Sequence, residues 1–510
     1  MGVVQQPIED RVGERGLTDE LVPGLHRELA GDERGAAPVA ILDELHEVFA
    51  LGGIELVQPP VVEDHQIGAR ELAQQPAPAA VAVTIRLSGS LLEMEEAIQE
   101  ATNAVGCCIT EEALKRFDTD GSPIRVGALK LTARGRDPKP YQTPYGVVEV
   151  ERHVYQTSRG GRIYCPLEQQ ARIVRAATPL FASQISHKYA QLNARAVQRD
   201  LAQNHARAVA PSYIQHVAEW VGNIAAAKEE DWEYDLPQLT GGIATVAVSL
   251  DGAMIPMAGR EGWREAMVGT LSFYDHEGER QHTLYLAAAP EYGKHTFTER
   301  LAREIARAKQ HYPEARWLGI ADGAASNWTF LEEHTERQLI DFFHATEYIA
   351  KLARARYPQR KAEAKRAAWQ HAHCNRLKRD PGVLDELVAE AARLSRRTSL
   401  SQKARDDAYS AWTYFNNHRH QMDYPGFLAE NLPIGSGVTE AACKSLVKQR
   451  LCASGMRWKT KGAKIVLSLR ALTNTVDRWT RFWQKIDQFE AERFGWGHYW
   501  EAAPCWLANS

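Results

Sequence analysis

Polar and apolar positions alternate along GVVEVERHVYQT (146–157), where Val148, Val150, Arg152 and Val154 share one face. A period of two marks a strand with one buried face, and Pro144 to Gly146 before it and Gly160-Gly161 after it mark turns. Upstream, residues 84–135 read as a helical stretch, LLEMEEAIQEATNAV, set in irregular sequence. Downstream the period changes, and 178–227 reads as helical. NARAVQRDLAQNHA forms one helix and a short RAVAP link leads to another, in which Ile214, Val217, Val221 and Ile224 recur on one face. Ser212 and Gln215 have capping-box spacing at its start. The pair has a helix-turn-helix outline. Ser212 to Ile224 carries no Lys or Arg, so a DNA-reading helix and a plain packed pair stand at about even weight.

From 241 onward the pattern changes again. GGIATVAVSLDG is a continuous apolar run ending at Asp251, as in a buried strand. AMVGTLSFYD (266–275) and RQHTLYLAAA (280–289) flank the polar turn DHEGE and predict a hairpin. A helix over 295–312, a strand over 315–323, a short helix and a strand over 338–343 follow. Residues 345–430 are helical and rich in Lys and Arg, and 433–486 opens on another helix, LPIGSGVTEAACKSLVKQR. Three antiparallel strands followed by parallel additions predict an α/β fold with a five-stranded mixed sheet covered by helices. That order is similar to the ribonuclease H fold. The helical insertion precedes the helix carrying Glu440, and an α+β N-terminal region, expected to bind DNA, comes first. The expected segments are 1–83, 84–235, 241–344, 345–430, 431–486 and a tail, 487–510.

Charge sharpens this division. Residues 1–83 hold 15 Asp/Glu against 5 Arg and no Lys, a net of −10, while the rest holds 50 acids against 56 Lys/Arg, a net of +6. The opening segment, with Phe49 as its one aromatic and the low-complexity run QQPAPAAVAV, reads as an acidic accessory extension, with translation from a misplaced start codon as the alternative. No apolar run reaches the ~18 residues that span a membrane. The seven cysteines form no C-x-x-C pair; reduced thiols in a cytoplasmic protein are the expectation.

Asp251 and Asp322 are expected at the ends of neighbouring parallel strands, and Glu440 on a helix crossing the same sheet. Two carboxylates at one edge repel unless cations lie between them, and oxygen-only donors suit Mg²⁺ or Mn²⁺. Two such ions could drive an in-line phosphoryl displacement. Taken singly, Asp251-Gly252 and Asp322-Gly323 are also ordinary turn dipeptides. His344 reads either as a supporting group at this site or as a strand-end histidine bonded to Asp341. His418 and His420 read as surface or DNA-facing.

The stretch LPIGSGVTEAACKSLVKQRLCASGMRWKTKGAKIVLSLRAL (432–472) closely resembles the C-terminal signature of the ISKra group of insertion-sequence transposases, relatives of Mutator-like DDE enzymes. VSLDG (248–252) and LGIADGA (318–324) are similar to that family's first-acid and second-acid strands, and DFFH (341–344) to the Asp-x-x-His motif of the wider group. The likeness spans roughly 140–485. It implies a DNA transposase with Asp251, Asp322 and Glu440 as catalytic acids and metal ligands for two Mg²⁺ or Mn²⁺ ions, and His344 in support. It also implies terminal inverted repeats and target DNA as partners, a homo-oligomer on DNA, no membrane, and a place in the bacterial cytoplasm with the nucleoid.

Between 433 and 470 eight Lys/Arg face one acid, Glu440. A solvated helix face is the usual meaning of such a run; beside a catalytic acid it would meet the phosphate backbone. Lys444, Lys448, Arg450, Arg457, Lys459 and Lys461 are the expected DNA contacts. Trp458 is either a stacking platform for an unpaired base or core packing. The alternatives are a ribonuclease H-like nuclease without strand transfer and an inactive DNA-binding remnant. No G-x-x-x-x-G-K-[ST] loop occurs, which removes an ATP-driven motor.

Overall fold

The computed structural model describes residues 83–85, 87–229, 231–239 and 241–491. The acidic extension, up to residue 82, and the tail from 492 lie outside the described residues. What is described is a mixed α/β architecture with two sheets.

The first sheet is an antiparallel meander of β1 (Ile124–Val126), β2 (Leu129–Gln142), β3 (Val147–Thr157) and β4 (Gly160–Tyr164). β3 follows the expected alternation, with Val148, Val150, Arg152 and Val154 buried. Arg152 is tolerated there because it meets Asp137 Oδ2 at 2.8 Å and Glu168 Oε1 at 3.3 Å. β1 and the start of β2 lie in what reads as irregular sequence, and β2 runs on through Pro138 and Pro140. β1 pairs only with Leu129 to Leu131, so both prolines sit where the outer edge of β2 has no partner strand and a missing N–H costs little. The helix Leu91–Lys115, longer than its apolar pattern implies, lies against β3, with Leu114, Tyr141, Val148, Val150 and Leu167 in a small core.

The second sheet holds β5 (Thr245–Pro256), β6 (Trp263–Tyr274), β7 (Arg280–Ala288), β8 (Arg316–Ala321) and β9 (Arg337–Ile340) in the order β7-β6-β5-β8-β9. β5, β6 and β7 are antiparallel; β8 and β9 run parallel to β5. β5 does not stop at Asp251. It pairs with β6 as far as Pro256↔Trp263, whereas its parallel ladder with β8 ends at Val248↔Gly319.

Both faces of this sheet are buried. Val246, Val248 and Leu250 lie in a core with Phe297, Leu301 and Ile305 of the helix His295–His311 and with the helical insertion (Phe342–Arg356, Glu363–Leu377, Val383–Ser395, Gln402–Asn417). Ala253, Ile255 and Val268 lie in a second core with helices from both ends of the chain. The N-terminal contributors are Pro179–Gln191, Ala194–His205 and Pro211–Lys228. The C-terminal ones are the segment Gly437–Ala442, Cys443–Lys448 and Gln449–Leu451, followed by Thr460–Asn474 and Arg478–Ala491. The two helices of helix-turn-helix outline are therefore not a separate module. Ile214, Val217 and Val221 are fully buried, and a Cβ on Gly222 would fall 2.5 Å from Ile465 Cγ2. The second helix also starts two residues earlier than its capping box implies: Ala210 is the N-cap, Pro211 supplies the first turn, and no side chain caps it.

The C-terminal helices are locked in by two arginines. Arg478 Nη1 and Nη2 each lie 2.7 Å from a carboxylate oxygen of Glu304. Arg470, 3% exposed, donates to Leu446 O at 2.7 Å, Ala190 O at 2.6 Å, Gln191 Oε1 at 2.7 Å and Ser445 O. It belongs to the run read as solvated, yet it satisfies carbonyls at a helix C-terminus and in the π turn Cys443–Lys448. Arg470→Met would strand those carbonyls. A loss of about 3 kcal/mol is expected, read in urea as a lower unfolding midpoint at unchanged slope.

Candidate active site

Three acids stand where the parallel strands end. Asp251 and Asp322 each lie three residues beyond the last parallel pair, Val248↔Gly319, and so stand level with each other, Asp251 within β5 and Asp322 just after β8. Asp341 directly follows β9, and its N–H donates to Ala321 O at 2.9 Å. Asp251 shares strand parity with Ala253 and Ile255 and thus faces the side that carries the Glu440 helix.

Asp251 Oδ1 accepts from Gly252 N at 2.6 Å, and Cys443 Sγ donates to Oδ2 at 3.4 Å. Asp322 does not end a strand; it opens a turn, and its Oδ1 accepts from Ala324 N at 3.1 Å ahead of the helix Ala325–His334. The next residue, Gly323, has φ +106°, and a Cβ there would lie 3.3 Å from both His418 Nε2 and Tyr414 Cε2. Only glycine suits that backbone with those neighbours. His418, half-buried, therefore sits against the turn that follows Asp322; His420 is exposed.

Asp341, with no exposed surface, is the residue that sequence patterning misses. The strand read over 338–343 stops at Ile340, and Asp341 is the N-cap of Phe342–Arg356. Its Oδ1 accepts from Phe343 N at 2.6 Å and His344 N at 3.2 Å, while Oδ2 accepts from Ser436 N and Ser436 Oγ. Phe342 N also donates to Ile434 O at 3.0 Å. One carboxylate thus ties the turn before Glu440 to the helix end bearing His344. Its bond to His344 is through the backbone, which leaves the imidazole free to turn to Glu440: Nε2 lies 3.5 Å from Oε1. Thr270 Oγ1 and Thr439 Oγ1, both buried and 2.7 Å apart, hold the same helix to β6. Aspartate followed by two phenylalanines and a histidine was the available signal, since Asp is a preferred N-cap.

Burial raises the Glu440 carboxyl above its ordinary value, the charges of Asp341, Asp251 and Glu347 push the same way, and His344 opposes them. Asp322, Asp341 and Glu347 likewise act on Tyr414, whose hydroxyl burial has already raised. Five carboxylates thus share one edge, and none of the ion pairs among the described residues joins them to a Lys or Arg. The donor chemistry suits a hard divalent cation. The side chains do not form a ready cage, however: among the described residues no three His, Cys, Asp or Glu are gathered closely enough to hold a metal ion. Like charges repel, and Glu440 leans on His344.

The expected DNA contacts divide. Lys444, Lys448, Arg457, Lys459 and Lys461 are exposed. Arg450 is not available to a phosphate: it is 4% exposed, donates to Tyr189 O at 3.5 Å and lies over the Tyr189 and Trp458 rings. Trp458 is held as structure, its Nε1 donating to Leu451 O at 2.8 Å and its backbone bridging Pro256 and Ala258. The six described cysteines are free thiols, and no helix among the described residues is long and apolar enough to cross a membrane.

The chain matches no protein-family model, and no curated protein matches it.

The raised Glu440 carboxyl has a consequence for stability. A folded-state value above the unfolded one favours the native state fully only below the ordinary value of 4.5, and this contribution is lost as pH rises through the raised folded value. Glu440→Gln is therefore expected to melt at a higher temperature than wild type at neutral pH, with the gap closing as pH falls toward 4.5. Equal melting temperatures at both pH values would remove the electrostatic strain from this picture.

Proposed function

We propose that this protein is a DNA transposase of the DDE type, a divalent-metal-dependent enzyme that cleaves DNA and transfers the freed strand. The observation that carries the reading is that Asp251 and Asp322 stand level with each other just beyond the last pair of β5 and β8, with Glu440 on the helix packed on the Asp251 side of the sheet. The strand order β7-β6-β5-β8-β9, three antiparallel and two parallel, supports a ribonuclease H-like core. The likeness of 432–472 to ISKra transposases supports the task.

Asp251, Asp322 and Glu440 would hold Mg²⁺ or Mn²⁺, which in such sites activates the attacking oxygen and stabilises the leaving one. The chain's own residues do the rest. The Gly252 N–H and the Cys443 thiol fix the Asp251 carboxylate. His344 orients Glu440, and Asp341 holds the turn that delivers it. Lys444, Lys448, Arg457 and Lys459 offer phosphate contacts on the same C-terminal segment. Terminal repeats and target DNA would be the substrates, with a homo-oligomer assembled on them.

The test is cleavage and joining of labelled DNA bearing the element's ends, with Mg²⁺ or Mn²⁺, wild type beside Glu440→Gln. Cutting and joining in the wild type alone is expected. Cutting without joining would turn the reading to a nuclease, and binding without chemistry to an inactive remnant. Equal activity in both proteins would take Glu440 out of the site. In the same material, changing Lys444, Lys448, Arg457 and Lys459 to Gln should lower the slope of log affinity against log salt by up to ~0.9 for each phosphate no longer neutralised. An unchanged slope would place the DNA elsewhere.

A further inference from the structure

We infer that the helical insertion is part of the active site, with Tyr414 and His418 as positioning residues for Asp322. The inference deepens the reading above, since it takes Asp322 as one of the acids.

Tyr414 sits near the end of the insertion helix Gln402–Asn417, 8% exposed, with its hydroxyl donating to Asp322 O at 3.3 Å. Its ring is stacked on Tyr348, centroids 3.7 Å apart and planes 7° from parallel, and Lys351 Nζ lies 3.9 Å from the Tyr348 centroid. The stacked ring thus sets the direction of the hydroxyl. His418 follows at the helix C-cap. Its Nδ1 lies 3.0 Å from Oε1 of Gln421, a residue 4% exposed. An amide oxygen only accepts, so Nδ1 is the donor in this contact and the ring is held in one orientation. Nε2 is the atom that a Cβ on Gly323 would meet at 3.3 Å.

Asp322 is therefore held from two sides. Its own Oδ1 accepts from Ala324 N within the turn, and Tyr414 and His418 close on the turn from outside. Nothing in β5 or β6 does this for it. The first acid is gripped by the sheet and by Cys443, whereas the second depends on a segment that begins after β9 and lies outside the five strands. A carboxylate that must hold one geometry needs neighbours locked by packing and hydrogen bonds, and the insertion supplies them.

Tyr414→Phe keeps the stacked ring and removes only the hydroxyl; His418→Ala removes the imidazole, and His418→Gln returns a polar side chain. Hydrogen–deuterium exchange of the full chain, read in peptides spanning 318–328, should speed up about tenfold in Tyr414→Phe, the worth of one hydrogen bond, and by a smaller factor in His418→Ala, which removes only the ring packed on Gly323, with other core peptides unchanged. His418→Gln should recover part of the protection. In DNA cleavage the same two variants should lose kcat about tenfold while KM for DNA stays within about twofold. Wild-type exchange at 318–328 in both variants would overturn the inference, and so would faster exchange throughout the core, which would mean a general packing role. If the wild type cuts no DNA and the exchange shift is still local, the positioning stands and the transposase reading falls.

Discussion

A carboxylate with no access to water needs hydrogen-bond donors for both of its oxygens, and Asp341 meets that demand by accepting from two segments at once. One oxygen takes the first free N–H groups of the helix Phe342–Arg356; the other takes the N–H and hydroxyl of Ser436. Because the helix end carries His344 and the serine turn opens the helix of Glu440, the pair that meets at 3.5 Å is set by this one side chain. The sheet end, the insertion and the C-terminal helix all converge on it. No single strand or helix could place the three proposed acids without such a joint.

The core strands were legible because each is a run of β-branched and apolar residues bounded by polar turns. Their lengths were not. Asp251-Gly252 reads as a turn, but β5 continues because β6 pairs with it for five more residues, a tertiary preference that overrides the local signal. Asp341 fails in the opposite direction: the apolar pattern of QLIDFF runs on, yet the carboxylate caps a helix and ends the strand. β1 is only three residues long, and β2 carries two prolines that its unpaired edge accepts, so neither shows a clear period of two.

The proposed acids were picked out by their place in the order of elements; their surroundings were not legible there. Periodicity reports which face is apolar, not which distant side chain lies above it, so the contacts of Tyr414 and His418 with the Asp322 turn, across some ninety residues, leave no mark in local patterning. The basic run misleads for a related reason. Arg450 and Arg470 carry the same charge as Lys444 and Lys448, but guanidinium groups also serve as multidentate donors to buried carbonyls, and only the packing of Pro179–Gln191 against the C-terminal helices reveals which role each one has.

That packing bears on how the chain is made. The helices Pro179–Gln191 and Pro211–Lys228 bury their apolar faces partly against partners that begin at Gly437, more than two hundred residues later. At ribosomal speeds of roughly 5–20 residues per second, those faces wait on the order of ten seconds or longer before their cover emerges. During that interval the nascent protein is a client for holding chaperones. A product truncated before the C-terminal helices would lack the third proposed acid and would also leave the apolar faces of both N-terminal helices uncovered, so that it would lack a complete core as well as a complete site.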